Sequence, residues 1–131
     1  MQMRQGVDIV SVERLEEAAR RHGDRFLDRI FTPGEREYCE SKRYKFEHYA
    51  VRFAAKEAMM KAMEIRRQNR FRFREIEVAR RPTGKPEIKM SSESRSRFGL
   101  PAESQIELSM AHERKFAVSF VVLILPDRNI S

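Results

Sequence analysis

The stretch Phe46 to Met63, FEHYAVRFAAKEAMMKAM, decides the reading of the fold. It holds no Gly or Pro and is rich in Ala, Met, Glu and Lys, so it predicts one long buried helix. Ala50, Phe53, Ala54, Glu57, Ala58 and Lys61 recur at helical spacing, which puts Glu57 and Lys61 on a face shared with small and aromatic residues. Before it, Thr32, Pro33 and Glu35 spell a helix start: an N-cap Thr, Pro at the first helical position and Glu at the third. That helix should run to about Ser41 and carry Glu35, Tyr38 and Cys39. Further back, Ser11 or Val12 through His22 predicts a helix with Arg14, Ala18, Arg21 and Arg25 along one stripe, broken at Gly23. The segment GVDIVSV, from Gly6 to Val12, is β-branched and apolar except at Asp8 and reads as a buried strand, Asp8 sharing a face with Val10 and Val12.

After the long helix, Phe71 to Ala79 and Glu87 to Met90 read as strands around the turn Pro82-Thr83-Gly84-Lys85-Pro86. A short polar helix is expected near Ser91 to Phe98, then a hairpin of Gln105 to His112 and Lys115 to Leu125. The order is strand, helices, strands, short helix, hairpin, without the regular alternation of a doubly wound sheet. It predicts an α+β domain whose antiparallel sheet packs against the long helix.

The chain has 131 residues, enough for one domain spanning 1–131, with a loose tail expected from Pro126. It is 40% hydrophobic and 36% charged, which allows a core beneath a very polar surface. One cysteine, Cys39, excludes an internal disulfide framework and a multi-cysteine zinc site, and is expected to be an ordinary buried residue. The opening residues lack a signal-peptide apolar run, and no stretch approaches the ~18 apolar residues of a membrane span. A soluble cytoplasmic protein without membrane partners is expected. The net charge is +7, and Arg66 to Lys85 alone holds eight basic and two acidic residues, a local +6. Polyanionic or phosphorylated partners are favoured.

Three polar residues stand where core residues belong. Asp8 interrupts an apolar strand, Glu57 lies on the inner face of the long helix, and His112 shares a strand face with Ile106, Leu108 and Met110. Glu57 with Lys61 could be a simple i, i+4 pair, and His112 a satisfied core histidine. Two carboxylates without a Cys or His cluster suit a hard cation such as Mg²⁺, which takes oxygen ligands and leaves positions for water and phosphates. With Lys61 and the Arg-rich segment they assemble the parts for a phosphorylated or pyrophosphate substrate. No Walker loop or GxGxxG is present. The competing reading is a small basic nucleic-acid-binding domain, with Phe71 and Phe73 interleaved among Arg70, Arg72 and Arg74; it leaves Asp8 and Glu57 unexplained.

Gly6-Val7-Asp8-Ile9-Val10 with Arg14, Arg52-Phe53-Ala54-Ala55-Lys56-Glu57-Ala58 with Lys61-Ala62, Gly84-Lys85-Pro86 and Ser109-Met110-Ala111-His112-Glu113 together resemble the bacterial holo-acyl-carrier-protein synthases, the small type of 4'-phosphopantetheinyl transferase. The resemblance covers about Gly6 to Leu125. It implies transfer of the phosphopantetheine arm of coenzyme A to a serine of apo acyl carrier protein, with release of adenosine 3',5'-bisphosphate, in fatty acid biosynthesis, and no nucleic-acid partner. It implies Mg²⁺ held by Asp8 and Glu57, and catalysis by Glu57 and Lys61. Coenzyme A would be bound by Asp8, Arg52, Lys61, Gly84, Pro86 and His112. The basic stripe of Arg14, Arg21 and Arg25 would dock the acidic carrier, and a homotrimer would build its sites between subunits. A metal-bound water or hydroxide is the expected base for the serine, with Glu57 able to relay the proton; Glu35 is a further candidate. The +6 segment is expected beside the nucleotide end of coenzyme A.

Overall fold

The structure, a computed structural model, describes residues 1–65 and 71–127. Arg66, Arg67 and Arg70 of the basic segment and tail positions 128–131 lie outside the described residues.

The long helix is α4, Lys45–Ala62. Its inner face is almost all alanine, with Ala50, Ala54, Ala55, Ala58 and Ala62 buried beside Met59. Small side chains let a sheet approach the helix closely. The approach is tightest at Gly6 of strand β1 (Gln2–Ser11), where an added Cβ would lie 2.0 Å from the Ala58 carbonyl oxygen and 2.9 Å from the Ala62 amide nitrogen. Strands β4 (Gln105–His112) and β5 (Phe116–Leu125) form the expected hairpin. The sheet is antiparallel with order β1-β5-β4, and α4 packs across it.

Helix α1 spans Val12–His22, with Ser11 as its N-cap and Gly23 at its end. A second helix, α2 (Asp24–Ile30), follows directly and was not foreseen. Helix α3 (Pro33–Glu40) has the capping box in full: the Glu35 amide donates to Thr32 Oγ1 and the Thr32 amide to Glu35 Oε1. Strands β2 (Glu77–Arg80) and β3 (Pro86–Lys89) pair as a separate ribbon, and α5 (Ser92–Arg97) precedes β4.

Two expectations need correction. The strand predicted from Phe71 begins only at Glu77, because Phe73–Glu75 folds into a 3-10 turn. Glu75 draws the chain inward: its carboxylate accepts from the Arg72 amide at 3.0 Å and from Ser94 Oγ at 2.9 Å, and pairs with Arg97. Strand β1 is buried on one face only. Gly6, Asp8 and Val10 turn inward, whereas Val7 and Ile9 are 51% and 65% exposed and Val12 already belongs to α1. Across the sheet Val7 pairs with Phe120, Ile9 with Val118 and Ser11 with Phe116, so the outer face is an open apolar strip.

Candidate functional site

Asp8 reaches the site through the crossing of β1 and α4. Gly6 lies against Ala58 and Ala62, while Ser119, the cross-strand partner of Asp8, donates its hydroxyl to the Val51 carbonyl at 2.8 Å. Asp8 therefore lies along the part of α4 that carries Glu57. Its carboxylate is half-buried and accepts from Lys61 Nζ at 3.0 Å, and the same ammonium donates to the Val7 carbonyl at 3.0 Å. The cation of Lys61 is thus committed across elements to Asp8. Its side chain is 55% exposed, so the ammonium is not locked in place by packing.

Asp8 and half-buried Glu57 offer hard oxygen donors on facing elements. Among the described residues no group of three or more His, Cys, Asp or Glu could hold a metal by itself. Two carboxylates fit Mg²⁺, which binds through one or two carboxylates and completes its shell with water and substrate phosphates. They do not fit zinc.

A second set lies toward the start of α4. Arg52 is 1% exposed, donates from Nη1 to the His48 carbonyl at 3.2 Å and sits 4.2 Å from the Tyr38 ring centroid, with its Nε buried and unpartnered. Arg80 lies over the same ring at 5.2 Å and donates to the Gly84 carbonyl at 2.7 Å. Gly84 adopts a φ of 91°, a conformation that favours glycine, and so turns the chain into Pro86 at the head of β3. Arg52, Gly84 and Pro86 are accordingly joined through Tyr38 and Arg80. His112 stands at the exposed end of β4. Its Nδ1 is 3.0 Å from Glu47 Oε1, and its ring meets His48 edge-on with centroids 4.8 Å apart. His48 in turn stacks edge-on against Tyr38 at 5.8 Å. Burial, reinforced by the charges of His112 and Arg52, pulls the His48 pKa down to about 4.

The single chain brings together Asp8 with Lys61 beside Glu57, and separately His112, His48, Tyr38, Arg52, Arg80 and Gly84. Arg14, Arg21 and Arg25 are exposed on α1 and at the start of α2 and belong to neither set. Sequence reasoning missed His48, although it lies one helical turn before Arg52. It also missed Lys56. That lysine is 0% exposed and donates to Glu35 Oε1 at 2.7 Å, to the Ile76 carbonyl at 2.6 Å and to the Phe73 carbonyl at 3.1 Å. Glu35, 1% exposed, also accepts the Thr32 and Val78 amides at 2.9 and 2.7 Å. A carboxylate so fully engaged is a structural anchor, and Glu35 is not available as a general base. Cys39 is inert, since burial pushes its pKa up to about 12.

The basic segment also divides in a way its sequence does not show. Arg81 is paired with Glu87 at 2.8 Å and Lys85 with Glu107 at 3.0 Å, so only Arg80 of this turn points its charge at the second set. Arg74 lies in the 3-10 turn and Arg72 caps it, and that turn packs against α2 instead.

The sequence pattern of the 4'-phosphopantetheinyl transferase superfamily matches residues 4–121. A holo-[acyl-carrier-protein] synthase from a Geobacter species is 40% identical over 118 residues, 90% of this chain and 94% of that protein. One from Ruminiclostridium cellulolyticum is 37% identical over 97% of this chain and 96% of its own length. Among solved structures, the Helicobacter pylori holo-[acyl-carrier-protein] synthase in complex with coenzyme A superposes with a TM-score of 0.79 at 31% identity, covering 92% of this chain and 99% of that one. The Bacillus anthracis holo-(acyl-carrier-protein) synthase in complex with CoA (3',5'-ADP) gives a TM-score of 0.75 at 33% identity over 93% of this chain and 97% of that one.

Proposed function

This chain belongs to the holo-acyl-carrier-protein synthase family of 4'-phosphopantetheinyl transferases, and from that premise we propose that it transfers the 4'-phosphopantetheine arm of coenzyme A to a serine of apo acyl carrier protein for fatty acid synthesis. The observation that carries the reading is the Asp8–Lys61 contact, which sets a half-buried carboxylate and a movable cation beside Glu57.

In the reaction the serine hydroxyl oxygen forms a bond to the β-phosphorus of coenzyme A, and the bond to the bridging oxygen breaks to release adenosine 3',5'-bisphosphate. Mg²⁺ held by Asp8 and Glu57 would neutralise pyrophosphate charge and activate a water. Lys61, whose side chain is largely exposed beside Asp8, would stabilise the charge that builds on the transferring and leaving oxygens. Glu57 relays the serine proton. Arg52, Gly84, Pro86 and His112 seat the nucleotide end, with Tyr38 and Arg80 bracing Arg52. Arg14, Arg21 and Arg25 attract the acidic carrier.

The two sets of residues are separate within one chain, and the open strip of Val7, Ile9, Phe116, Val118 and Phe120 asks for cover. The reading includes a homotrimer that buries this strip, in which a neighbouring copy would supply the opposite wall of each site. Action in the cytoplasm is part of the same proposal; no helix among the described residues is long and apolar enough to cross a membrane.

The test is an incubation of the purified protein with coenzyme A, Mg²⁺ and apo carrier protein, read by mass spectrometry of the carrier. A gain of one phosphopantetheine that disappears with EDTA is expected. No gain at any metal concentration would refute the reading.

A further inference from the structure

The cleft between α2 and the 3-10 turn has a volume of about 720 Å³ and is lined by Asp28, Arg29, Phe71, Arg72, Phe73, Arg74 and Glu75. Its two acids are already committed: Asp28 to Arg36 at 2.6 Å, and Glu75 to Arg97 and Ser94. Arg29, Arg72 and Arg74 make no ion pair among the described residues and are exposed. The cleft therefore presents three unneutralised guanidinium groups around a half-buried aromatic floor. That combination fits an acidic protein surface with an apolar centre.

Arg29 also lines the neighbouring cleft of Ala18, Arg21, His22, Arg25 and Phe26, so the two clefts meet at Arg29. The stripe on α1 thus runs on through α2 to the turn. On the other side, Phe73 stacks on Phe53 at 5.5 Å, one helical turn before Glu57, so the aromatic floor leads back toward the reacting centre. We propose that Arg29, Arg72 and Arg74 extend the carrier-docking face, so that this chain grips the acidic carrier from two sides of α2, and that this half of the basic segment does not serve coenzyme A. The proposal rests on the reading of the carrier as the acceptor.

The experiment compares the wild type with R72E/R74E, R29E and R80E, each first shown by circular dichroism and melting to be folded. Should a charge reversal fail to fold, R72Q/R74Q replaces it. Steady-state transfer is run against carrier and against coenzyme A separately, and apo carrier is titrated directly into each protein. Reversing two attractive rim charges is expected to raise the KM for carrier and weaken the titration by roughly tenfold, with the KM for coenzyme A unchanged. The salt dependence of carrier binding should flatten in R72E/R74E. R80E should show the opposite split. A raised KM for coenzyme A in R72E/R74E, or carrier binding equal to wild type, overturns the proposal. A wild type that binds carrier through these arginines but transfers nothing would refute the activity while leaving the docking face standing.

Discussion

Lys56→Met tests whether the Glu35–Lys56 pair holds the ribbon of β2 and β3 onto the helices. In the native protein the ammonium contacts one carboxylate oxygen and two carbonyls, at Phe73 and Ile76, and it is wholly shielded from water. Burial is the main cause that lowers the lysine pKa, and the charge and hydrogen bond of Glu35 work against that shift. Removing one partner of such a pair leaves an uncompensated buried charge, which costs about 3–5 kcal/mol. Two carbonyls also lose a donor, so the upper half of that range applies. Set against a total stability of about 5–15 kcal/mol, the loss is large. At a slope of about 2 kcal/mol per M, a loss of ~4 kcal/mol lowers the urea midpoint by ~2 M. Lys56→Met/Glu35→Met should be less destabilised than the sum of the single variants, by at least about 2 kcal/mol, because no charge is then stranded. It should not regain wild-type stability, since the Thr32 and Val78 amides lose their acceptor. A loss below ~1 kcal/mol for Lys56→Met, or additive single variants, would refute the account of the pair.

His48 gives a pH test. Its folded pKa near 4 lies below the ordinary value of 6.5, so between these values the unfolded chain binds more protons. Stability is therefore full above about pH 6.5 and falls as pH drops toward 4; because His48 is half-buried, the loss is held to about 1–2 kcal/mol. Thermal melts from pH 7 to 4 should show this slope, and His48→Phe should flatten it. Gly6→Ala drives a Cβ into backbone atoms of α4 that cannot swing aside, so a loss of about 2–3 kcal/mol and a fall in transfer rate from the displaced Asp8 are expected, read by melting and assay. Glu57→Gln should lower kcat by about 10²–10³ while the protein stays folded, the size of a lost acid–base group; unchanged activity would remove Glu57 from the mechanism. Arg14→Glu should raise the KM for carrier more than that for coenzyme A, and equal effects on both would count against docking through α1.

The legible parts of this fold are those where one local signal suffices. Helix α4 has an unbroken run of helix formers, and α3 declares itself through Thr32, Pro33 and Glu35. Asp8 and Glu57 stood out because a carboxylate on an apolar face needs a reason. Lys56 did not, since a lysine inside a helix reads as solvated until tertiary packing shows its head enclosed by Glu35, Phe73 and Ile76. Helix α2 escaped because seven residues after a glycine give too little periodicity. Phe71 to Arg74 alternates with the period of a strand, and only the distant Ser94 and Arg97, which hold Glu75, turn it into a 3-10 turn. The outer face of β1 shows a different limit: an apolar face looks the same in sequence whether its cover comes from the same chain or a neighbour.

The charge count illustrates why a local sum is a poor guide to a binding face. The +6 of Arg66 to Lys85 reads as one patch along the sequence, yet among its described residues Arg72 and Arg74 sit at the 3-10 turn against α2 while Arg80 ends β2 beside Tyr38. At the turn, Glu87 and Glu107 neutralise Arg81 and Lys85, so the side facing Tyr38 and Arg52 gains only the charge of Arg80. At the other end Arg72 and Arg74 join Arg29, and the local acids are already paired. Attraction between exposed charges is screened within about 8 Å at physiological salt, so each half acts only on what sits against it. On the proposed division, raising the salt should weaken carrier binding through several exposed arginines more steeply than coenzyme A binding through the enclosed Arg52. Equal salt slopes for the two substrates would contradict this division of the charge.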